Sequence, residues 1–421
     1  MIWDALTDPV LRAPTLGSML MCLASALVGV IVVLRKRSLV GEALSHAAYP
    51  GVVLAALFTA LFFPDSEDGF AFIILIGAFL SALLGLWTIE LLQTKFRVKA
   101  DAALCFVLSV FFGCGILIAS RVQFTHPLWY QKIQMFLYGQ AATMTDQHVV
   151  IYGSLCLLTV LFIALLYHPI QAVSFDRDFA KSTGIAVQWL EGATFFLLVL
   201  AIVIGIRSVG VVLMSGMLIA PVVAAKQWTH RLFTLFVLSA LFGTLSGFFG
   251  NYFSTEIPRW VSGKFSLPTG PMILLCASLF CFFSLLLSPG SGLLSRCFRI
   301  YKFRRKCRQE NVLKAYWKGD EPDASRFFLW ILYMQGWLRK DGAGYHLSPD
   351  GRHRAAQIVR LHRLWEVYLV DYMGQGVERV HRNAEEMEHI LTPELEKELT
   401  ILLQDPKRDP HHQPIPGKEG L

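Results

Sequence analysis

The segment Leu39–Val52 reads LVGEALSHAAYPGV and places two ionisable side chains inside an otherwise apolar run. Glu42 and His46 are four residues apart, so in a helix both side chains project from one face, about one turn apart. Ionisable side chains at membrane depth are costly and usually line an ion or substrate path. A single small cation can contact both. The alternative is that the two side chains only hydrogen-bond between packed helices.

The residues around this pair favour close helix packing. Gly41, Ala43, Ser45, Ala47, Ala48 and Gly51 are small, and small side chains let neighbouring helices approach closely in a membrane. Pro50 is expected to kink the helix just past the pair and to release backbone carbonyls that line a cavity.

The composition is that of a polytopic membrane protein with a polar appendage. The 421 residues are 54% hydrophobic and 16% charged, with a mean hydropathy of +0.50. The net charge of +7 is compatible with basic cytoplasmic loops and does not by itself indicate nucleic-acid binding. The eight cysteines form no CxxC pair, so neither a disulfide framework nor a zinc finger is indicated.

Nine apolar runs are long enough to span a bilayer: 16–34, 43–63, 70–91, 101–120, 147–167, 190–206, 208–225, 232–252 and 268–288.

The distribution of Lys and Arg predicts the orientation. Most of these residues fall in the loops of one side: Arg35, Lys36, Arg37, Lys95, Arg97, Lys99, Arg177, Lys181, Lys226, Arg231 and a basic run from Arg296 to Arg308. Positive residues are enriched in cytoplasmic loops, so the N-terminus is expected outside and the C-terminal tail inside, in a multi-pass protein of a bacterial inner membrane.

Two connecting segments depart from plain loops. Residues 121–146 are too polar to span and rich in aromatic residues, which predicts a re-entrant or interfacial element. The cytoplasmic stretch 172–187, AVSFDRDFAKSTGIAV, predicts a short amphipathic helix. Such a helix either docks into a groove on a soluble partner or is a surface connector.

Four segments together resemble the permease subunit of bacterial zinc, manganese and iron ABC uptake systems. They are GEALSHAAYPGV, VKADAALCFVLSVFFGCGILIAS, SFDRDFAKSTGI and IRSVGVVLMSGMLIAPVVAA, in that order within residues 10–290. The resemblance implies a channel of paired permeases, with a second permease that is the same or a related chain. It also implies an extracytoplasmic protein that delivers the metal, and it assigns Glu42 and His46 to the metal path.

The same resemblance implies a separate cytoplasmic ATPase. That subunit would dock on the segment containing Phe175, Asp176, Asp178, Phe179, Ala180 and Gly184. No GxxxxGK[ST] phosphate-binding loop occurs in the sequence, so ATP hydrolysis is expected on another polypeptide and this chain is not expected to be an enzyme. A carboxylate and an imidazole suit manganese, iron or zinc and do not separate them. Family members commonly have Asp where this chain has Glu42.

The chain divides into a membrane domain at 1–290, a basic juxtamembrane linker at 291–308 and a soluble domain at 309–421. The linker would lie against anionic lipid headgroups. The soluble domain is expected to be mainly α-helical. ENVLKAYW, ASRFFLWILYMQGWL, RHRAAQIVRLHRLWEVYLVDYMG, VERVHRNAEEMEHIL and PELEKELTILL predict helices, and LRKDGAGYHLSPDG predicts a β-hairpin.

Two of these helices carry potential metal ligands. His362 and Glu366 are an i, i+4 pair, whereas Glu385, Glu388 and His389 share one face with His381 one turn earlier. Imidazole and carboxylate groups spaced in this way match a divalent transition-metal site. The alternative is a solvated charged helix with incidental histidines.

The hairpin followed by HRLWEVYLVD, VHRNAEEMEHI and PKRDPHHQPIPG resembles metal-dependent repressors of the diphtheria-toxin-repressor type. The resemblance assigns His362, Glu366 and His381 to one metal site and Glu385, Glu388 and His389 to the other. It therefore implies a cytoplasmic metal-sensing domain or, alternatively, a metal-dependent transcriptional repressor.

Two features depart from those repressors. The first-helix ligand position is Asn311, and the first helix of a helix-turn-helix is missing, which predicts a degenerate winged helix. The expected recognition helix is mostly apolar and aromatic, which argues against sequence-specific DNA binding.

Overall fold

A computed structural model describes residues 7–417, except 36, 63–66, 140, 261–266, 291, 343, 377, 379, 381–383, 385–386, 388 and 390–391. The chain divides into two compact units, Met1–Ser295 and Arg296–Leu421. Both are mainly helical, as the sequence predicts.

The first unit consists of helices and their short connections. In chain order these helices are α1 (Pro9–Leu34), α2 (Ser38–Phe62), α3 (Glu67–Thr94), α4 (Ala100–Thr125), α5 (Pro127–Tyr138), a 3₁₀ turn (Ala141–Thr143), α6 (Asp146–Phe175), α7 (Arg177–Ser182), α8 (Val187–Val209), α9 (Val211–Lys226), α10 (Leu232–Trp260) and α11 (Thr269–Leu287).

Eight helices of the described chain are long and apolar enough to cross a membrane, so this is a multi-pass membrane protein. They account for eight of the nine predicted runs. The remaining run, 208–225, forms the shorter helix α9 because Gly210, at φ +95°, ends α8. The predicted interfacial segment forms the end of α4, all of α5 and the 3₁₀ turn, and α5 buries Ile133 and Phe136.

Helix α2 lies in the core of the unit and contacts α3, α4 and α9. A Cβ atom added to Gly77 of α3 would lie 2.6 Å from the carbonyl oxygen of Gly51, and one added to Gly115 of α4 would lie 2.5 Å from the ring of Tyr49. Small residues thus bring the backbones of α2, α3 and α4 close together, as the sequence predicts.

A second close approach joins α5 to the break between α8 and α9. Gly139 and Gly210 both have positive φ, at +74° and +95°. A Cβ on Gly210 would lie 2.6 Å from the carbonyl oxygen of Leu137, and a Cβ on Gly270 would lie 2.7 Å from that of Val209. Gly139 and Gly210 must be glycine for two reasons: other residues rarely adopt a positive φ, and a side chain at either position would collide with the neighbouring backbone.

The second unit contains α12 (Leu293–Lys318, which begins just before it), α13 (Arg326–Met334), the antiparallel hairpin of β1 (Leu338–Asp341) and β2 (Gly344–Leu347), α14 (Pro349–Asp371) and α15 (Pro393–Leu402). The basic segment 293–308 is part of α12. The hairpin lies where the turn residues in the sequence predict it, and the side chains of Ser325, Ser348 and Thr392 cap the N-termini of α13, α14 and α15. Between α12 and α13 the described chain contains no helix, as expected for a degenerate winged helix.

A buried arginine fixes the C-terminal segment on α14. Arg360 is 1% exposed and donates hydrogen bonds to Pro416 O at 2.7 Å and to Asp405 Oδ1 at 2.9 Å. Hydrogen bonds from Lys407 and Arg360 lower the pKa of Asp405 to about 2. Asp405 therefore keeps its negative charge at physiological pH, and the segment around it stays paired with α14.

Replacing Gly210 by Ala is expected to destabilise the membrane unit. A side chain at positive φ costs about 1–2 kcal/mol, and the contact with Leu137 adds to that cost. The measurement is the apparent melting temperature of the purified protein in detergent. Gly113→Ala is the control, since a Cβ there meets no atom within 4 Å. Equal melting temperatures for the two variants would contradict the account of this junction.

Candidate metal centres

Helix α2 carries Glu42 and His46 on one face, with Glu42 partly exposed and His46 only 8% exposed. The imidazole packs edge-on against Phe112 of α4, with 4.6 Å between ring centroids. Its Nδ1 atom is buried without a hydrogen-bond partner among the described residues. A buried imidazole nitrogen normally has a hydrogen-bond partner. The Nδ1 atom of His46 is therefore available to bind a further group.

Some other oxygen- and sulfur-bearing side chains of α2 and α9 are buried or hydrogen-bonded within the fold. The Ser45 hydroxyl donates to the carbonyl oxygen of Glu42 at 2.9 Å, so it serves the helix itself. Met214 and Met217 of α9 are at most 1% exposed, and Met214 packs against Gly205 of α8. Within the described residues no three His, Cys, Asp or Glu side chains come together as a metal site. Glu42 and His46 are therefore a two-residue candidate.

The amphipathic segment forms α7 with a firm N-terminal cap. Asp176 accepts hydrogen bonds from the backbone N–H groups of Asp178 and Phe179, at 2.9 and 3.0 Å. Ala180 is fully buried, whereas Phe175 and Phe179 are 80% and 60% exposed. Gly184, at φ +83°, ends the turn. The segment is thus anchored through one small residue and presents two aromatic rings outward.

An ion pair that the sequence did not predict connects α7 to α8. Arg177 Nη2 lies 2.8 Å from Glu191 Oε2, and the Glu191 side chain is only 19% exposed. The two residues are 14 positions apart, so no helical spacing signals the pair. It links α7 to a membrane helix.

In the second unit, His362 and Glu366 lie on α14 and contact each other. His362 Nε2 is 3.1 Å from Glu366 Oε1, and the residues are 4% and 1% exposed. Lys314 of α12 also contacts His362, with Nζ 3.3 Å from Nδ1. Sequence spacing identified the pair on α14, but it did not identify the buried lysine.

His389 is held by a carboxylate from α12. Its Nδ1 donates to Glu310 Oε2 at 2.7 Å, and Arg354 donates to Glu310 Oε1 at 2.5 Å. Burial raises the pKa of Glu310, but the hydrogen bonds from His389 and Arg354 more than offset this effect and leave the pKa below its ordinary value. The predicted first-helix position was Asn311, but that residue is exposed and its neighbour Glu310 faces the site. His381, Glu385 and Glu388 lie outside the described residues.

Residues 7–288 match the model of the ABC 3 transport family. The chain belongs to that family. Residues 348–417 match a second model, the iron dependent repressor metal binding and dimerisation domain. The chain is therefore an ABC transporter permease with a C-terminal repressor-like domain, in agreement with both resemblances in the sequence.

Three relatives illustrate the range of similarity. A probable metal transport system membrane protein of Chlamydia trachomatis is 36% identical, over 98% of this chain and 97% of the relative. The manganese transport system membrane protein MntC of Bacillus subtilis is 35% identical, over 76% and 71%. The zinc transport system membrane protein TroC of Treponema pallidum is 36% identical, over 70% and 94%. The alignment with the chlamydial relative includes the C-terminal unit of this permease.

Removing the cap of α7 is expected to loosen that helix. In Asp176→Ala two backbone N–H groups lose their acceptor, which costs about 1 kcal/mol and corresponds to roughly fivefold faster amide exchange. Hydrogen–deuterium exchange of peptides covering residues 177–184 measures this. Asp178→Ala is the matched control because its side chain is 94% exposed. The cap assignment fails if the two variants exchange alike.

Proposed function

We propose that this permease conducts a divalent transition metal, either manganese, zinc or iron, into the cytoplasm. The observation that carries the proposal is the buried His46 Nδ1, which has no described partner and lies one helical turn from Glu42. Carboxylate oxygen and imidazole nitrogen are donors that all three metals accept. The relatives named for manganese and for zinc support this class of substrate and do not single out one metal.

The two ligands Glu42 and His46 suit a transient contact with a passing metal ion better than a permanent metal-binding site. An ion that enters the membrane must exchange water for protein donors, and it must also be able to leave. Two ligands on one helical face give a contact weaker than a closed four-ligand site. In the predicted orientation α2 begins at the cytoplasmic side, so an ion moving inward would reach the nitrogen donor of His46 before the carboxylate of Glu42.

The energy for transport would come from a separate cytoplasmic ATPase bound to α7. The exposed rings of Phe175 and Phe179 offer apolar contact area, while the buried Ala180 and the Arg177–Glu191 ion pair connect the helix to α8. Movement of α7 would thus reach the membrane helices. A second permease subunit and an extracytoplasmic metal-binding protein complete the assembly. The predicted orientation places α7 and the C-terminal unit in the cytoplasm, in a bacterial inner membrane.

The C-terminal unit would sense metal in the cytoplasm through His389, together with Glu385 and Glu388. Because Nδ1 of His389 donates to Glu310, the lone pair of the neutral ring is on Nε2. A carboxylate that orients a histidine in this way is typical of metal sites. The donor set therefore fits Mn²⁺, Fe²⁺ or Zn²⁺. A bound ion would crosslink its ligands and so favour one arrangement of the domain.

A repressor function is the second candidate, because the hairpin and the dimerisation-domain match are both present. The helix before the hairpin argues against base recognition. Phe327 and Trp330 of α13 stack on each other and are 69% and 48% exposed, so aromatic rings occupy a face that would need polar groups.

Substituting the pair on α2 is expected to reduce metal uptake. Glu42→Gln and His46→Ala each remove one donor, and loss of a charge-assisted contact predicts a decrease of about tenfold or more. The measurement is uptake of radioactive manganese and zinc by cells that express the whole transporter. Glu90→Gln and His168→Ala are matched controls, since both side chains are exposed on other helices. Uptake at the wild-type level in either α2 variant would refute the assignment of that residue.

Removing residues 309–421 is expected to abolish regulation but not transport. Uptake by the truncated chain should continue when the cytoplasm is loaded with manganese, whereas uptake by the full chain should decrease. Identical curves for the two chains would rule out a regulatory role.

The repressor hypothesis requires its own measurement. A mobility-shift assay with residues 309–421, manganese or iron and the operon's own promoter should show no specific band. A specific band that depends on metal would establish the second candidate instead.

A further inference from the structure

An arginine at the end of α1 has part of its guanidinium group buried. Arg35 directly follows Leu34, the last residue of α1, and its Nε and Nη2 atoms are buried with no hydrogen-bond acceptor among the described residues. Guanidinium N–H groups can only donate, and a buried charged donor without an acceptor is costly. The position of Arg35 therefore requires an acceptor in some arrangement of the protein.

The end of α1 packs in the same region as α7 and the start of α8. A single cluster of buried apolar side chains includes Ile31 of α1, Ala180 of α7 and Leu190 of α8. Glu191 follows Leu190, and its carboxylate pairs with Arg177 of α7 at 2.8 Å. The carboxylate that links α7 to α8 thus lies next to the cluster that also holds the end of α1.

A second contact brings the residues after α1 to the Glu191 side of α8. The guanidinium carbon of Arg37 lies 5.6 Å from the ring centroid of Phe195, within the range of a cation–π contact. Phe195 is four residues after Glu191, so both side chains project from one face of α8. The connection that contains Arg35 and Arg37 therefore lies on this face.

Glu191 also acts on Arg35 electrostatically. Burial lowers the pKa of the Arg35 guanidinium, the Glu191 carboxylate raises it, and Arg37 and Arg177 lower it. Three guanidinium groups are thus close to one carboxylate, which in this arrangement pairs with Arg177. The side chain of Arg177 is 49% exposed on α7, whereas that of Glu191 is only 19% exposed.

An acceptor from outside the chain fits the buried donors less well than Glu191 does. Protein atoms cover Nε and Nη2 of Arg35, so a lipid phosphate or a side chain of a partner cannot contact them while the helices are packed in this way. Glu191 already belongs to the packed region and carries the opposite charge. It is therefore the acceptor that the surroundings of Arg35 favour.

We propose that Glu191 exchanges between two cations, pairing with Arg177 while α7 is docked on α8 and with Arg35 when α7 moves away. A carboxylate with so little exposure would otherwise lose its positive partner whenever α7 moved. Arg35 is thus a positioning residue that stabilises the arrangement in which α7 has left α8. The proposal goes beyond the proposed function, because it concerns contacts within this chain and holds whichever metal is carried.

The first test is a double-mutant cycle on the full chain, purified in detergent. Arg35→Gln and Arg177→Gln each leave Glu191 one cation, whereas the double variant leaves it neither. We expect the double variant to lower the apparent melting temperature by at least about twice the sum of the two single changes. The cycle of Arg231→Gln with Arg177→Gln is the matched control and should be additive, since Arg231 is exposed before α10. Additive changes for Arg35→Gln and Arg177→Gln would overturn the proposal.

The second test removes the carboxylate. The amide in Glu191→Gln needs no cation, so the same cycle in that background is expected to be additive. The triple variant should also melt at a higher temperature than the Arg35→Gln, Arg177→Gln double variant, or fold where the double variant does not. If the two arginines had only a packing role, the non-additivity would persist without Glu191, and that result would overturn the proposal.

The third test detects the exchange in a single variant. In Arg177→Gln the carboxylate is expected to pair with Arg35 and to hold the connection after α1. Peptides covering residues 35–41 should then exchange amide hydrogens at least about twofold more slowly than in the wild type. Lys181→Gln is the matched control, because that side chain is 53% exposed on α7 and contacts Asp178. Equal or faster exchange of residues 35–41 in Arg177→Gln would overturn the proposal.

Discussion

An ionisable side chain removed from water must find a partner, and this requirement shapes both units of the permease. In the membrane unit, His46 is buried against Phe112, and its Nδ1 atom has no partner among the described residues. In the C-terminal unit, His362 is equally buried, but both of its nitrogens are engaged, by Lys314 and by Glu366. The same residue type thus keeps one ring nitrogen without a described partner in one place and has both ring nitrogens engaged by protein groups in the other.

Close backbone packing is what buries His46. Gly77 and Gly115 allow α3 and α4 to approach α2 to distances that a side chain would prevent. Helices in a membrane gain little from hydrophobic association, so van der Waals contact between small residues supplies much of their packing energy. These glycines therefore set how closely α3 and α4 pack on the part of α2 that follows His46.

Longer-range connections in the permease depend on ion pairs between separate elements. Arg177 and Glu191 connect α7 to α8, and Glu310 connects α12 to His389 and to Arg354 on α14. Each of these contacts joins two elements of the same unit.

Much of the architecture could be predicted from the sequence, because local rules govern it. Apolar length determined the membrane helices, and the DGAG turn residues determined the hairpin. Periodicity also placed Glu42 with His46, and His362 with Glu366, on common faces. The tertiary structure alone decided which side chains meet across distant segments. It put Glu310, rather than Asn311, at His389, and it brought Lys314 to His362, 48 residues away. Helical spacing relates residues within one helix, whereas these contacts depend on how two helices pack, and no local pattern in the chain encodes that.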